Sequence, residues 1–201
     1  MNATHKLTLR QIMNRIYKDL GGFEIPREDE QAVRKSKGSP IYGEINQQAL
    51  NILLSYLKLG PKDIFFDLGS GVGKVIMQTV LSTPVGRAMG VELSSARFEE
   101  ALTALKRAQD FEPLVPKRLK FLNEDLLTTD LSKATVIYTC STAFSQAFMN
   151  KLTARLAEYR QPFRLVSLQE LPERSEFKHL ETLKLDMSWT RKSPVHIYKR
   201  S

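Results

Sequence analysis

Three acidic residues in this sequence stand at the ends of short apolar runs. Asp67 closes the run "DIFFD", Glu92 closes "AMGVE", and Asp125 follows "RLKFLNE". A glycine-rich loop, "GSGVG" at residues 69–73, comes directly after the first run. Since the carboxyl ends of parallel strands meet at one edge of a sheet, where such folds bind ligands, we expect the three carboxylates and the loop to surround one ligand.

The glycine loop fits two phosphate-binding patterns poorly. A P-loop ends in Gly-Lys followed by Ser or Thr, which binds magnesium, but here Val75 follows Gly73 and Lys74. A dinucleotide-binding loop requires Gly-x-Gly-x-x-Gly, and its third glycine would fall at Lys74. The P-loop interpretation is therefore rejected and the dinucleotide interpretation is weak. The Lys74 side chain is expected at the surface of the helix that follows.

A third interpretation, S-adenosylmethionine, fits every position. Glycines let a bulky group approach the backbone, and carboxylates suit a ligand whose sulfonium and ammonium groups are positive. Its ribose carries no phosphate, so Glu92 would accept hydrogen bonds from the ribose hydroxyls and Asp125 one from the adenine amino group. In the plain alternative, the glycines only form turns and the acids only cap helices. The loop residues expected to contact the cofactor are Gly69, Ser70, Gly71 and Gly73.

The elements around this loop alternate between strands and helices. Apolar strand candidates such as "DIFFDLG", "ATVIYTCS" and "FRLVSLQE" are separated by helix candidates such as "SARFEEALTALKRAQD". After the fifth strand come two more, "FKHLETLKLDMSWT" and "PVHIYKRS". This order predicts an α/β fold with a doubly wound, mostly parallel seven-stranded sheet of the methyltransferase type and an antiparallel C-terminal edge strand.

The chain is expected to contain one full domain, because its 201 residues suit a single α/β core. Residues 1–38 are interpreted as an N-terminal helical and linker segment, and residues 39–201 as the methyltransferase domain. Within the segment, residues 26–40 are almost wholly polar and are expected to form an exposed connection. An amphipathic helix before it carries its apolar stripe at Leu9, Ile12, Met13, Ile16 and Leu20.

Composition limits the compartment and the partners. The sequence has no apolar run of transmembrane length and no signal-like start, so we expect a soluble, intracellular and cytoplasmic protein, taken to be a monomer. The single cysteine, Cys140, excludes an internal disulfide and a Cys-rich metal site, and no metal is predicted. The net charge of +8 comes entirely from residues 1–38 and 151–201. These basic ends are either an ordinary solvated surface or attract an acidic partner or a nucleic acid.

Seven quoted segments together resemble a known family. They are "SPIYGE" (39–44), "FFDLGSGVGKVIMQ" (65–78), "GVE" (90–92), "NEDLL" (123–127), "VIYTCSTAF" (136–144), "RLVS" (164–167) and "MSWTRKSPVHIY" (187–198). Their order and spacing resemble the Dot-type histone lysine methyltransferases, named for disruptor of telomeric silencing. Many methyltransferases share the glycine motif, whereas "YGE" and the late "SWT" are more specific.

The resemblance implies a role for each candidate residue. Tyr42 and Glu44 would belong to a loop over the methionine end of the cofactor, and Asp67, Gly69 and Gly71 would line its methionine and ribose side. By the same resemblance, Glu92 would bind the ribose, and Asp125 and Leu126 would contact the adenine on either side. Phe144 and Trp189 would form the walls of the substrate channel.

The sequence departs from the family at two places in the implied channel. The family carries Asn-Asn-Phe-Ala-Phe where this chain reads "CSTAF" at 140–144, so Cys140 takes the place of an asparagine that would fix either the methionine end or the target amine. The family's channel tyrosine aligns with Ile197 or, after a shift, with Tyr198, and Tyr42 is a further wall candidate. We therefore expect a compact, microbial relative with a different substrate from the nucleosome enzymes.

The expected reaction is methylation of a protein lysine. A lysine amine has a pKa of about 10.4, so deprotonation near neutral pH costs about 4 kcal/mol. Desolvation by aromatic walls and a nearby sulfonium would lower that cost. Two alternatives stay open. One is methylation of a nucleic acid or a small molecule, and the other is a cofactor-binding interaction module without catalysis.

Overall fold

Within residues 7–35 and 43–200, which the computed structural model describes, seven strands form one sheet in the order β3-β2-β1-β4-β5-β7-β6. The strands β1 to β5 are parallel neighbours, and β7 runs antiparallel between β5 and β6. The predicted fold class is therefore confirmed. The strands are β1 Ile64–Leu68, β2 Arg87–Glu92, β3 Leu119–Asn123, β4 Val136–Thr139, β5 Phe163–Ser167, β6 Phe177–Leu185 and β7 Ser193–Arg200.

The strand order reverses at β1, which has β2 on one side and β4 on the other. Chain connections leave in opposite directions at such a switch point, and this opens a crevice at the carboxyl ends of the strands. Asp67 pairs with Gly90 of β2 and with Tyr138 of β4, so it lies at the head of that crevice. The sheet thus brings the predicted acids to one edge.

Helices pack on both faces of the sheet. Helices α1, α3, α4 and α5 bury apolar residues against one face of the sheet, and α7 packs against the other. Polar side chains start several of them: Asn46 accepts a hydrogen bond from Ala49 N, Ser94 from Arg97 N, and Ser145 from Phe148 N. The helices are α1 Leu9–Ile16, α2 Arg27–Lys35, α3 Gln47–Leu57, α4 Lys74–Ser82, α5 Ser95–Ala108, α6 Val115–Arg118 and α7 Gln146–Glu158, with a 3₁₀ turn at Ser141–Ala143.

The predicted connection at 26–40 is wrong for residues 27–35, which form α2, although most of their side chains are exposed as expected. Hydrophobic periodicity could not reveal this helix, since Val33 is its buried residue. Charge patterning supports it: Glu28, Asp29 and Glu30 lie in the first turn, and basic residues lie in the last. The predicted amphipathic helix is confirmed as α1 over Leu9–Ile16, but Leu20, which was placed on its apolar stripe, lies beyond its end.

Among the described residues, no helix combines the length and the hydropathy that a membrane crossing requires. Tyr42, one of the predicted site residues, lies outside the described residues.

Candidate functional site

Two adjoining chambers open at the carboxyl edge of the sheet, beside the switch point. The first chamber measures about 370 Å³ and extends over the ends of β2 and β3. The second chamber measures about 350 Å³ and reaches under α1 and α3. Gly43, Gly69 and Cys140 line both. The shared walls make the chambers two parts of one cavity, suited to an elongated ligand.

Glu92 ends β2 in the wall of the first chamber. Its Oε2 accepts a hydrogen bond from Gly71 N at 2.8 Å, and its Oε1 accepts one from Ser94 N at 2.9 Å. These two backbone donors fix the orientation of the carboxylate. Because a carboxylate has about four acceptor positions, two remain for hydroxyl groups of a ligand.

Asp125 and Leu126 follow β3 and line the same chamber. Asp125 Oδ1 accepts a hydrogen bond from Leu127 N at 2.8 Å, which holds the turn in shape. Val33 of α2 also lines this chamber, as does the buried Arg97, whose Nε donates to Gly22 O at 2.9 Å. The carboxylate of Asp125, with the apolar side chains of Leu126 and Val33 in the same chamber, suits a flat ring that has hydrogen-bond donors on its edge.

The glycine loop contributes to the site in two different ways. Gly69 lines both chambers, and Ser70 lines the second. Gly71 and Gly73 line neither chamber, and their contribution is to the shape of the loop. Gly73 has φ +84°, and a Cβ there would lie 2.3 Å from the ring of Phe121, so only glycine fits where α4 begins.

The second chamber contains a concentration of unpaired buried polar atoms. Asp67 is only 2% exposed, and its Oδ1 has no hydrogen-bond partner. Burial, followed by the charge of Glu92, raises the pKa of Asp67 well above its usual range. Four such atoms belong to residues of this chamber: Tyr17 Oη, Gln47 Nε2, Asp67 Oδ1 and Ser70 Oγ.

A buried polar atom without a partner costs about 1–3 kcal/mol, so native proteins contain few of them. Their convergence on one chamber indicates a polar ligand that would complete them. Tyr17 and Tyr138 remain hydrogen-bond donors, because burial raises the pKa of both hydroxyls well above the usual value.

Lys74 also lines the second chamber, so its predicted surface position is wrong. Its Nζ lies 2.9 Å from Glu44 Oε2 and 5.7 Å from the centre of the Tyr17 ring. The ion pair joins the start of α4 to the loop 43–46. That loop is in turn attached to the β6–β7 turn, because Ser188 N donates to Glu44 O at 2.7 Å.

The predicted channel residues come together at the first chamber. Phe144, Trp189 and Cys140 all line it. The Trp189 ring packs so closely on Gly43 that a Cβ at that position would be 2.3 Å away. Gln169, which follows β5, donates from its side-chain amide to the carbonyls of Ser141, Thr142 and Phe144 and so holds the loop that carries Phe144.

Cys140 lies where the two chambers meet. Burial, followed by the charge of Asp67, raises its pKa to about 12. Its Sγ lies 3.6 Å from Gly43 O, within reach of a weak hydrogen bond. Burial therefore favours the neutral thiol at physiological pH.

The suggestion that Ile197 or Tyr198 walls the channel is wrong. Ile197 is buried in the core on the α3 face of the sheet, and Tyr198 faces the opposite core, where its hydroxyl accepts from Leu171 N at 3.1 Å. Neither residue lines either chamber. Several further chamber residues were not predicted as site residues. They are Tyr17, Val33, Lys74, Arg97 and Tyr138. Of these, only Lys74 belongs to a sequence motif that could have indicated it.

No group of three or more His, Cys, Asp or Glu side chains among the described residues could hold a metal ion.

Comparisons with known proteins identify relatives in both sequence and structure. Residues 25–199 match the family described as "Histone methylation protein DOT1". A histone-lysine N-methyltransferase of Caenorhabditis elegans, specific for lysine 79 of histone H3, is 31% identical over 149 residues, which cover 68% of this chain and 15% of that protein. A protein-lysine N-methyltransferase of Saccharolobus islandicus is 29% identical over 91 residues, covering 45% of this chain and 53% of the relative.

Among solved structures, an RNA methyltransferase of Salinibacter ruber in complex with S-adenosyl-L-homocysteine superposes with a TM-score of 0.55. The match covers 77% of this chain and 90% of that one at 20% identity, and it shows a shared fold.

Proposed function

The chain belongs to the DOT1 family of histone methylation proteins, and we propose from this that it is an S-adenosylmethionine-dependent methyltransferase that acts on a protein lysine. The chain spans 15% of the nematode relative and 10% of the Drosophila melanogaster one, so the proposal depends on the geometry of the site as well as on the family.

The observation that carries the proposal is the two-part cavity beside the switch point. Its first chamber has carboxylates at Glu92 and Asp125, which suit the donors of a ribose and an adenine. Its second chamber has Asp67 and Glu44, which suit ammonium and sulfonium charges. The unpaired buried atoms of the second chamber fit the amino-acid end of the cofactor, because its charged groups would supply the hydrogen-bond partners that these atoms lack.

When bound, the cofactor supplies an electrophilic methyl group on a sulfonium. The residues of this chain would hold it and orient the acceptor. Glu92 and Asp125 fix the nucleoside, Asp67 balances positive charge, and Phe144 and Trp189 exclude water from the incoming amine. Removal of water lowers the pKa of a lysine, and alignment of the neutral amine with the methyl group supplies most of the remaining catalysis.

The proposed substrate is a lysine on a protein surface with acidic groups nearby. Trp189 is 44% exposed at the rim of the first chamber, and the next residues include the exposed Arg191 and Lys192. These cations favour an acidic surface around the target lysine. The Saccharolobus islandicus relative is a protein-lysine N-methyltransferase, and the match covers 53% of its length, compared with 15% of the nematode enzyme.

The proposal is tested first by calorimetric titration with S-adenosylmethionine. We expect Glu92→Ala to weaken binding at least tenfold, because both ribose hydroxyls lose their acceptor, whereas Glu99→Ala on the exposed side of α5 leaves it unchanged. A labelled-methyl assay then compares proteins that carry lysines on acidic surfaces, basic proteins and RNA. Methylation of protein supports the proposal, and methylation of RNA would contradict the substrate class. Binding without transfer to any of these would favour a non-catalytic cofactor-binding module, and absence of binding by the folded wild type would overturn the proposal.

A further inference from the structure

We propose that Lys74 selects ligands that carry an α-carboxylate. In the bound state its ammonium pairs with that carboxylate instead of with Glu44, and Glu44 becomes available to the ligand's ammonium group. This inference rests on the proposed function, since it concerns the amino-acid end of S-adenosylmethionine.

The charges of the second chamber match that end of the cofactor. Glu44, Asp67 and Lys74 are its charged residues, so the lining carries one positive and two negative formal charges. The amino-acid end together with the sulfonium carries two positive charges and one negative. Each group of the ligand therefore finds an opposite charge only if Lys74 takes the carboxylate.

The position of Lys74 in its helix is otherwise unfavourable. It is the first residue of α4, where the helix dipole favours an acidic side chain and no acid is present in the first turn. Gly73 before it provides no side-chain cap. A cation and the free N–H groups of a helix start both attract an anion, so a carboxylate at this position would satisfy both.

Other donors surround the same space. Tyr17 Oη and Gln47 Nε2 are buried, lack partners and line the chamber with Lys74. The Tyr17 ring lies 5.7 Å from Lys74 Nζ, which positions the cation against α1. Helix α1 thereby becomes part of the binding site. The two neutral donors suit a second oxygen of the same carboxylate.

A purely structural role for the ion pair makes a different prediction. The side chains of Lys74 and Glu44 are 30% and 19% exposed, and such a pair could serve only to attach the loop 43–46 to α4. Loss of Lys74 would then weaken the binding of every ligand of the cavity to the same degree, whether or not the ligand has an amino-acid end.

The experiment compares two ligands that differ in the amino-acid end. S-Adenosylhomocysteine has it, and 5′-deoxy-5′-methylthioadenosine lacks it. Calorimetric titration measures both with the wild type, Lys74→Met, Lys74→Arg and the exposed-lysine control Lys62→Met. We expect Lys74→Met to weaken the binding of S-adenosylhomocysteine at least tenfold and to change the binding of 5′-deoxy-5′-methylthioadenosine less than twofold. Lys74→Arg should keep the preference, and Lys62→Met should match the wild type.

The other outcomes separate the two proposals. Equal weakening of both ligands by Lys74→Met, or no weakening of either, would overturn the role of Lys74 while leaving the cofactor site intact. If the wild type binds neither ligand, the proposed function fails and this inference fails with it. Thermal melting of each variant without ligand distinguishes a lost contact from a misfolded chain, and Lys74→Gln replaces Lys74→Met if the latter does not fold.

Discussion

Asp29 of α2 accepts two hydrogen bonds at 2.7 Å, one from Ser94 Oγ and one from Ala96 N, at the start of α5. These bonds attach α2 to the start of α5, which follows Glu92 closely in the sequence. Val33 of α2 lines the first chamber together with Glu92. Further along α5, Glu100 accepts hydrogen bonds from Gly21 N and Gly22 N. Helix α2 is therefore held against the start of α5 and forms part of the wall of the first chamber.

Replacement of Asp29 by Ala should loosen this wall. Two hydrogen bonds to a carboxylate are lost, so we expect the protein to lose about 1–2 kcal/mol of stability and S-adenosylmethionine to bind several-fold more weakly. Calorimetry measures the affinity, and trypsin cleavage after Arg34 and Lys35 measures the attachment of α2. Glu28→Ala, in the same turn but exposed, is the control. Unchanged affinity and cleavage in Asp29→Ala would contradict the structural role given to this residue.

Asp67→Asn should stabilise the ligand-free protein and weaken the cofactor. The pKa of Asp67 is raised in the folded state, so the folded protein binds that proton more tightly than the unfolded chain does. The stability due to its protonation is present below about pH 4 and is lost as the pH rises through the folded-state pKa. Asparagine does not titrate, so at pH 8 the variant should melt at a higher temperature than the wild type. Its free energy of unfolding should be higher by about 1–3 kcal/mol.

Thermal melts at pH 4 and pH 8, with and without S-adenosylmethionine, check this prediction. The ligand should raise the melting temperature of the wild type more than that of Asp67→Asn, because the variant lacks the charge that balances the ligand's cations. Asp110→Asn, at an exposed residue just beyond the end of α5, is the matched control. A variant no more stable than the wild type at pH 8 would mean that Asp67 has a partner in solution.

Cys140 should resist alkylation despite its position at a cavity. With a pKa of about 12, its thiolate fraction at pH 8 is about 1000-fold lower than that of a thiol of ordinary pKa near 9, and iodoacetamide should react slower by a similar factor. A neutral thiol would also be a poor acceptor of a methyl group from a sulfonium cofactor bound in the cavity. Mass spectrometry measures the rate, which should rise in guanidinium and in Asp67→Asn. Rapid labelling of the folded wild type would contradict the buried thiol.

Sequence patterns could predict the sheet and the ends of its strands because both depend on local order. Glu92 and Asp125 were found because each ends or follows an apolar strand, and parallel strands bring such ends together. The loop glycines were found because their spacing is a motif. The antiparallel edge was also predicted from the final pair of strands.

The second chamber could not be predicted, because its residues converge only in the folded chain. Tyr17 directly follows α1 and Tyr138 lies within β4, where a buried aromatic residue resembles any other core residue. Lys74 seemed a surface residue because helix periodicity says nothing about the loop that packs over its start. α2 was missed since its attachment depends on Asp29, a polar contact made across 65 residues of sequence.

The close packing of Gly43 on Trp189 gives a final prediction with a direct optical readout. A Cβ at position 43 would lie 2.3 Å from the Trp189 ring, so Gly43→Ala must displace the ring from the rim of the first chamber. Trp189 is the only tryptophan in the sequence, and its emission therefore reports on this wall alone. We expect a red shift in Gly43→Ala, a large loss of methyl transfer, and a smaller loss of cofactor affinity. Trp189→Ala in the Gly43→Ala background should restore the stability lost through the clash but not the transfer. If Gly43→Ala keeps both its emission maximum and its transfer rate, the ring is free to move and Trp189 is not a fixed wall of the channel.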